Sequence, residues 1–274
     1  MSFLEHLEEL RWHVIRALAA VIVFTIVSFV MAQWVFGNII FAPARVDFPT
    51  FQVLCKLADY IGNEGLCVKE IPFKVQSRNM TGQFTMHLMS SFIIGLVVAF
   101  PYVVWEFWRF IKPGLQKNER KYSRGAVGSV SILFFFGVAF GYYVIAPWMV
   151  YFLANYSISD MIVNEFDITS YVSTVVMLVL GSGLLFQLPV VIYFLTKIGI
   201  VTPQFLRKYR KHSIIIILVV AAIVTPPDPL RQMLITIPLY LLFEVSILIS
   251  ASVAKGKARE EAEELLREQN ISPS

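Results

Sequence analysis

Six apolar blocks, each with few or no charges, take up about half of this chain. They run over about Val14–Phe36, Phe84–Trp108, Ala126–Tyr151, Tyr171–Leu195, Ser213–Val224 and Leu230–Val253. A helix crossing the hydrocarbon core of a bilayer needs ~20 consecutive, mostly apolar residues. Only 15% of the 274 residues are charged and the mean hydropathy is +0.68, too little charge to cover a soluble fold of this size. Pro101, Pro147, Pro189 and Pro238 fall in four of the blocks, which membrane helices tolerate when neighbours satisfy the freed backbone groups. The blocks predict an all-α polytopic membrane protein with six transmembrane helices. No internal repeat is present, so residues 1–254 read as a single membrane domain, followed by a charged cytoplasmic tail over 255–274.

Residues Ser2 to Arg16 predict a separate amphipathic helix lying on the membrane surface. Ser2 and Glu5 have capping-box spacing, and Phe3, Leu7, Leu10 and Val14 share a face. This acidic opening, followed by an apolar run too long for a signal-peptide core, predicts a retained anchor.

Basic residues set the orientation. With the N-terminus inside, 17 of the 23 Lys and Arg fall in cytoplasmic pieces, including Arg109, Lys112, Lys117, Arg120, Lys121 and Arg124 after the second block. The loop between the third and fourth blocks instead holds Asp160, Glu165 and Asp167 and no base. Both termini are therefore expected in the cytoplasm. Topology accounts for the net charge of +4, and nucleic acid is not expected as a partner.

The fifth block is short. A dozen residues reach only ~18 Å at ~1.5 Å per residue, against a core of ~30 Å. Either the bilayer thins beside it, or the helix is longer and includes Tyr209, Arg210, Lys211 and His212 with snorkelling bases. The external loop, about 37–83, is long enough for a small cap and holds the only cysteines, Cys55 and Cys67. On the oxidising side of the membrane they are disulfide candidates, with two free thiols as the alternative.

Three motifs share the correct order and topological positions. The first is Ser2-Phe3-Leu4-Glu5-His6-Leu7-Glu8-Glu9-Leu10-Arg11. The second is Phe107-Trp108-Arg109-Phe110-Ile111-Lys112-Pro113-Gly114-Leu115, followed by Lys117-Asn118-Glu119-Arg120. The third is Thr225-Pro226-Pro227-Asp228 with Ile237-Pro238-Leu239 and Leu242-Phe243-Glu244. Together they resemble the TatC family, over roughly Ser2 to Ala254. The resemblance implies a concave helix arrangement with a short fifth span, in the bacterial inner membrane. It implies a receptor for the twin-arginine signal peptides of folded precursor proteins, with export driven by the proton-motive force. It also implies TatA and TatB single-span partners and self-association. No cofactor, metal or catalytic residue is implied, and no nucleotide-binding motif is present.

Recognition of paired arginines calls for carboxylates, because a planar guanidinium donates two parallel hydrogen bonds to one carboxylate and lysine cannot. The family match assigns signal-peptide binding to Glu9 and Glu119, with Arg11 beside Glu9. From spacing alone, Glu119 could simply pair with Arg120 or Lys121, and Glu9 with His13 at i,i+4. Glu5 and Glu8 either extend the acidic surface or favour the helix N-terminus. Phe107, Trp108 and Phe110 read as an interfacial aromatic belt that also frames the site, and Pro113 and Gly114 shape the turn that presents Glu119. Asp228 reads as a cap for the last helix. Glu244 lies at membrane depth with no obvious basic partner in sequence, and by resemblance faces a concave interior where cargo or a partner helix docks.

Two residues depart from the family pattern. Gln187 precedes the proline of the fourth block where the family commonly has Glu, so no carboxylate titrates or holds an arginine there. Glu106 is expected to pair with Arg109 at i,i+3. A secondary transporter or channel is the alternative reading, supported by the proline-bearing helices and Glu244 but by no inverted repeat. An intramembrane enzyme finds no support: His6, His13, His87 and His212 are scattered, and neither HExxH nor GxSxG occurs.

Overall fold

The structure, a computed structural model, describes residues 3–62, 67–68, 70–72, 74–112, 125–159, 161–162, 164–224 and 229–271. Its helices are α1 Phe3–Val30, α2 Ala32–Val35, α3 Pro49–Ile61, α4 Gly82–Ile111, α5 Ala126–Phe140 and α6 Ala146–Asn155. They continue with α7 Ile168–Leu185, α8 Leu188–Lys197, α9 Pro203–Lys208, α10 Arg210–Val224 and α11 Pro229–Ile271. The fold is mostly helical. Among the described residues, a pair of three-residue parallel strands, β1 Lys74–Gln76 and β2 Glu165–Asp167, departs from this. Contacts group the chain into two units, Met1–Gly183 and Leu184–Ser274.

Among the described residues, five helical segments are long and apolar enough to cross a membrane: Glu8–Val30, Gly82–Ile111, Val127–Asn155, Ile168–Lys197 and Thr236–Gly256. The fifth block of the sequence forms α10, which begins at Arg210 rather than Ser213 and has 15 residues. The longer-helix alternative is thus met in part, since Arg210, Lys211 and His212 are helical. At ~1.5 Å per residue α10 still reaches only ~22 Å, short of the ~30 Å core.

In the first unit, the expected surface helix over Ser2–Arg16 is instead continuous with the first span. The capping-box spacing at Ser2 and Glu5 does not require a break further on, and residues 11–16 contain neither Gly nor Pro to stop α1. Exposed Trp12 and Trp34 mark two levels on this side, 22 residues or ~33 Å apart, suited to the two interfaces of a bilayer.

A seam of small residues joins α1 to α4. His13, Ala17, Val21 and Ser28 are buried on α1, and Ser91, Gly95, Ala99 and Glu106 on α4. A Cβ added to Gly95 would stand 2.6 Å from the Thr25 backbone nitrogen, so the backbones touch where only hydrogen fits. Without a hydrophobic drive between helices in lipid, close packing of this kind is what associates them.

Between α5 and α6 the chain takes a π-helical turn, Gly141–Ile145, just ahead of Pro147. The external loop builds a small cap on this region. Phe48, Phe51 and Val68 are buried together against Tyr142 and Tyr151. A disulfide joins Cys55 of α3 to Cys67. Pairing of β1 with β2 ties this loop to the acidic loop after α6, where Arg78 donates its backbone N–H to Asp167 at 2.9 Å. Asp167 also accepts the Thr169 backbone N–H at 2.8 Å, capping α7. The Thr169 hydroxyl and these two amides hold the Asp167 carboxyl below its ordinary range.

In the second unit, the fourth block turns at Gln187. Pro189 lacks an N–H and its ring would clash with the carbonyl of Leu185, so the chain turns and restarts with Pro189 in the first turn of α8. Buried Thr196 and Ser250 place their hydroxyls 2.9 Å apart, joining α8 to α11. Gln232 of α11 donates to the Leu218 carbonyl of α10 at 2.8 Å. Helix α11 runs on from the sixth block without a break into the charged segment, ending at Ile271.

Candidate functional site

Glu9 is half-buried on the second turn of α1, with Glu8 and Arg11 exposed on either side. The Arg11 guanidinium lies over the Trp12 ring, 5.7 Å from its centroid. One turn along, His13 faces away from solvent. Its Nδ1 donates to Oε2 of Glu106 at 2.5 Å, and the Glu106 side chain is 1% exposed. Arg109 approaches the other carboxylate oxygen, Nη1 to Oε1 at 3.7 Å, and stacks over Trp105. The Tyr102 hydroxyl hydrogen-bonds the same carboxylate.

This buried pair fixes where Glu9 stands. Helices α1 and α4 are antiparallel, since Thr25 meets Gly95 and His13 meets Glu106. Going four residues back from His13 to Glu9 is therefore the same direction as going from Glu106 toward Lys112, at the end of α4. Glu9 is ~6 Å beyond the pair and Lys112 ~9 Å beyond it. The half-buried carboxylate and the root of the 113–124 loop share one end of the α1–α4 pair. Glu119, Pro113 and Gly114 belong to that loop and lie outside the described residues, as does Asp228. Phe107 is exposed on the last turns of α4, as an interfacial aromatic would be.

A second polar cluster lies in the other unit. Glu244 of α11 has a basic partner after all. Arg210, the first residue of α10, donates to its Oε2 at 2.8 Å, and the Tyr240 hydroxyl donates to Oε1 at 3.0 Å. The partner was hidden in sequence because it is 34 residues away and because α10 starts three residues earlier than its apolar block. A pocket of about 210 Å³ between α8, α10 and α11 is lined by Leu188, Ile192, Ile216, Ile217, Leu239 and Phe243.

Comparison with known proteins decides the family. The sequence model of the Sec-independent protein translocase protein (TatC) family matches residues 5–238. The chain belongs to the TatC family. It is 39% identical to a TatC of Blattabacterium sp. subsp. Periplaneta americana over 259 residues, covering 94% of this chain and 97% of that one. It is 34% identical to TatCy of Bacillus subtilis over 263 residues, covering 96% and 93%. A crystal structure of the twin arginine translocase receptor TatC superposes with a TM-score of 0.71 at 28% identity, covering 89% of this chain and 99% of that one. As a TatC family member the chain is a component of a Sec-independent protein translocase, a multi-pass protein of the inner membrane and a transport protein rather than an enzyme.

Among the sequence-predicted site residues of this TatC protein, Glu9, Arg11 and Phe107 are brought to one end of α1–α4. Gln187 and Glu244 lie in the other unit, where Gln187 opens α8 and its backbone carbonyl accepts the N–H groups of Val190 and Val191 at 3.0 Å. Glu106 approaches Arg109 at i,i+3 as expected; sequence reasoning missed its short contact to His13, which turns to α4 rather than to Glu9. The available signal was positional: His13 continues the i,i+4 stripe of Ala17 and Val21, and Glu106 lies two turns, i+7, beyond Ala99 on the same face of α4.

Proposed function

We propose that this protein is the signal-peptide receptor of the twin-arginine translocase, with Glu9 and Glu119 as the carboxylates that take the paired arginines. The observation that carries the reading is the placement of half-buried Glu9 beside the end of α4, from which the loop bearing Glu119 departs. Partial burial there strengthens a charge-assisted, forked contact and raises the penalty for a lysine that cannot make it.

All six apolar blocks cross the bilayer in this reading, with both termini and the 113–124 loop in the cytoplasm. Residues 1–254 form one membrane domain, and 255–274 a cytoplasmic tail. The twin-arginine segment docks on Glu9 and Glu119. The apolar part of the signal then inserts along a lipid-facing groove, TatB organises the site, TatA is recruited, and the proton-motive force drives passage. Helix α10, ~22 Å long, leaves the bilayer thin on its side and lowers the cost of moving a folded protein across.

Binding of a labelled twin-arginine signal peptide to the full chain in lipid nanodiscs tests this reading. Glu9→Ala and Glu119→Ala should each weaken binding at least ~10-fold, as loss of a charge-assisted pair does. Unchanged affinity in both variants would contradict recognition by these carboxylates and leave the chain a translocase component that does not read paired arginines with them.

A further inference from the structure

The α1–α4 seam is held at three levels. Gly95 meets the Thr25 backbone in its middle, His87 stacks on Phe29 toward one end, and His13 meets Glu106 at the other. Of these three, only the His13–Glu106 pair lies within about one turn of Glu9, so it sets the local register at that end. Without that pair, a fully buried carboxylate would lose its partner from α1 and keep only Tyr102 and Arg109, and this end of α1 would lose its short polar contact to α4. Tyr102 and Arg109 are on the same helix as Glu106 and would move with it. Arg16, the remaining charged group near this cluster, has an exposed side chain.

Register matters here because the two proposed receptor carboxylates belong to different sides of the seam. Glu9 is on α1, and Glu119 is in the loop that begins after α4. A shift of this end of α1 by ~1 Å would already move Glu9 relative to that loop beyond the tolerance of a pair of forked guanidinium contacts, which need geometry held to ~0.5 Å. We infer that His13 and Glu106 are positioning residues for twin-arginine recognition, acting through the α1–α4 register rather than by touching the signal peptide. The inference rests on the receptor reading above.

The test measures affinity of the full chain in nanodiscs for a twin-arginine peptide and for its twin-lysine counterpart. His13→Ala should lower twin-arginine affinity ~10-fold, within the range by which residues that touch neither ligand alter coupling. The arginine-over-lysine ratio should fall with it. Glu106→Gln, which still accepts from His13, should keep most of the ratio. The exchange His13→Glu with Glu106→His rebuilds the pair in reverse and should restore the ratio lost in His13→Ala. Recovery in the exchanged protein separates positioning from a general loss of folding, since folding damage at two buried sites would add. An unchanged ratio in a folded His13→Ala protein, or no recovery on exchange, would overturn the positioning role alone. A wild-type chain with no preference for arginine would sink the receptor reading, and the positioning role with it.

Discussion

Arg210 and Glu244 meet at 2.8 Å, joining the first turn of α10 to the middle of α11. The contact gives a charge in an apolar helix a counter-charge from a segment that contact with water keeps partly solvated. Neither side chain is fully buried, at 46% and 30% exposed, so the pair is worth about 1 kcal/mol rather than several. Arg210→Ala should lower thermal stability in detergent by that amount. Arg210→Lys should lower it less, because only one guanidinium nitrogen makes the close contact. A double-mutant cycle with Glu244→Gln should return a coupling near the same ~1 kcal/mol. Zero coupling would mean that the two charges are independently solvated.

Gly95 tests the seam itself. A Cβ there would sit 2.5 Å from the Thr25 hydroxyl and 2.6 Å from its backbone nitrogen, and the backbone atom cannot swing away. Gly95→Ala should cost ~1–3 kcal/mol, the usual range for an overpacked contact. Gly128, with nothing within 4 Å of an added Cβ, is the control: Gly128→Ala should be neutral or slightly stabilising. Equal effects at the two positions would contradict the close approach of α1 and α4.

The cap built by the 37–83 loop depends on a cross-link over a separation of 12 residues. Closing a loop of that size restrains the unfolded chain by ~3 kcal/mol. Replacing Cys55 and Cys67 by serine should expose the α3 region to added protease. The spans should remain resistant, because the Phe48, Phe51 and Val68 cluster is local to the cap. Protease resistance identical to the wild type would show that this cluster holds the cap without the bond.

Acid should loosen the tie between the 37–83 loop and the loop after α6. Asp167 has its carboxyl held below the ordinary 3.8 by the Thr169 hydroxyl and by the Arg78 and Thr169 amides. Its stabilisation is therefore present in full above that value and is lost as pH falls through the lower folded-state value. Hydrogen exchange at the Arg78 amide should accelerate below about pH 4 in the wild type. Asp167→Asn should flatten that dependence. Acceleration already complete at pH 6 would assign the tie to another group.

How much of this was readable beforehand follows from what each contact depends on. The helices were legible because apolar length is a local property, and the cap was foreshadowed by a long loop with two cysteines on the oxidising side. The break at Gln187 could have been read from Pro189 two residues on. Continuity of α1 was missed because a capping-box pattern at its start says nothing about a stop at Arg16. The Arg210–Glu244 and His13–Glu106 pairs span 34 and 93 residues, and only the packing of helices brings such residues together. For His13, a nearby acid at i−4 offered a plausible local partner, and the distant one prevailed because it buries both groups in the seam.

The most direct test of the receptor role is site-specific photocrosslinking from the 113–124 loop, with a probe placed next to Glu119 in the full chain in membranes. A twin-arginine precursor and its twin-lysine variant would be offered in turn. Crosslinking to the first, not to the second, and its loss on Glu9→Ala would place the paired arginines between α1 and the loop after α4. Equal crosslinking to both precursors, or crosslinking indifferent to Glu9, would contradict recognition by these carboxylates while leaving the family and the membrane fold intact.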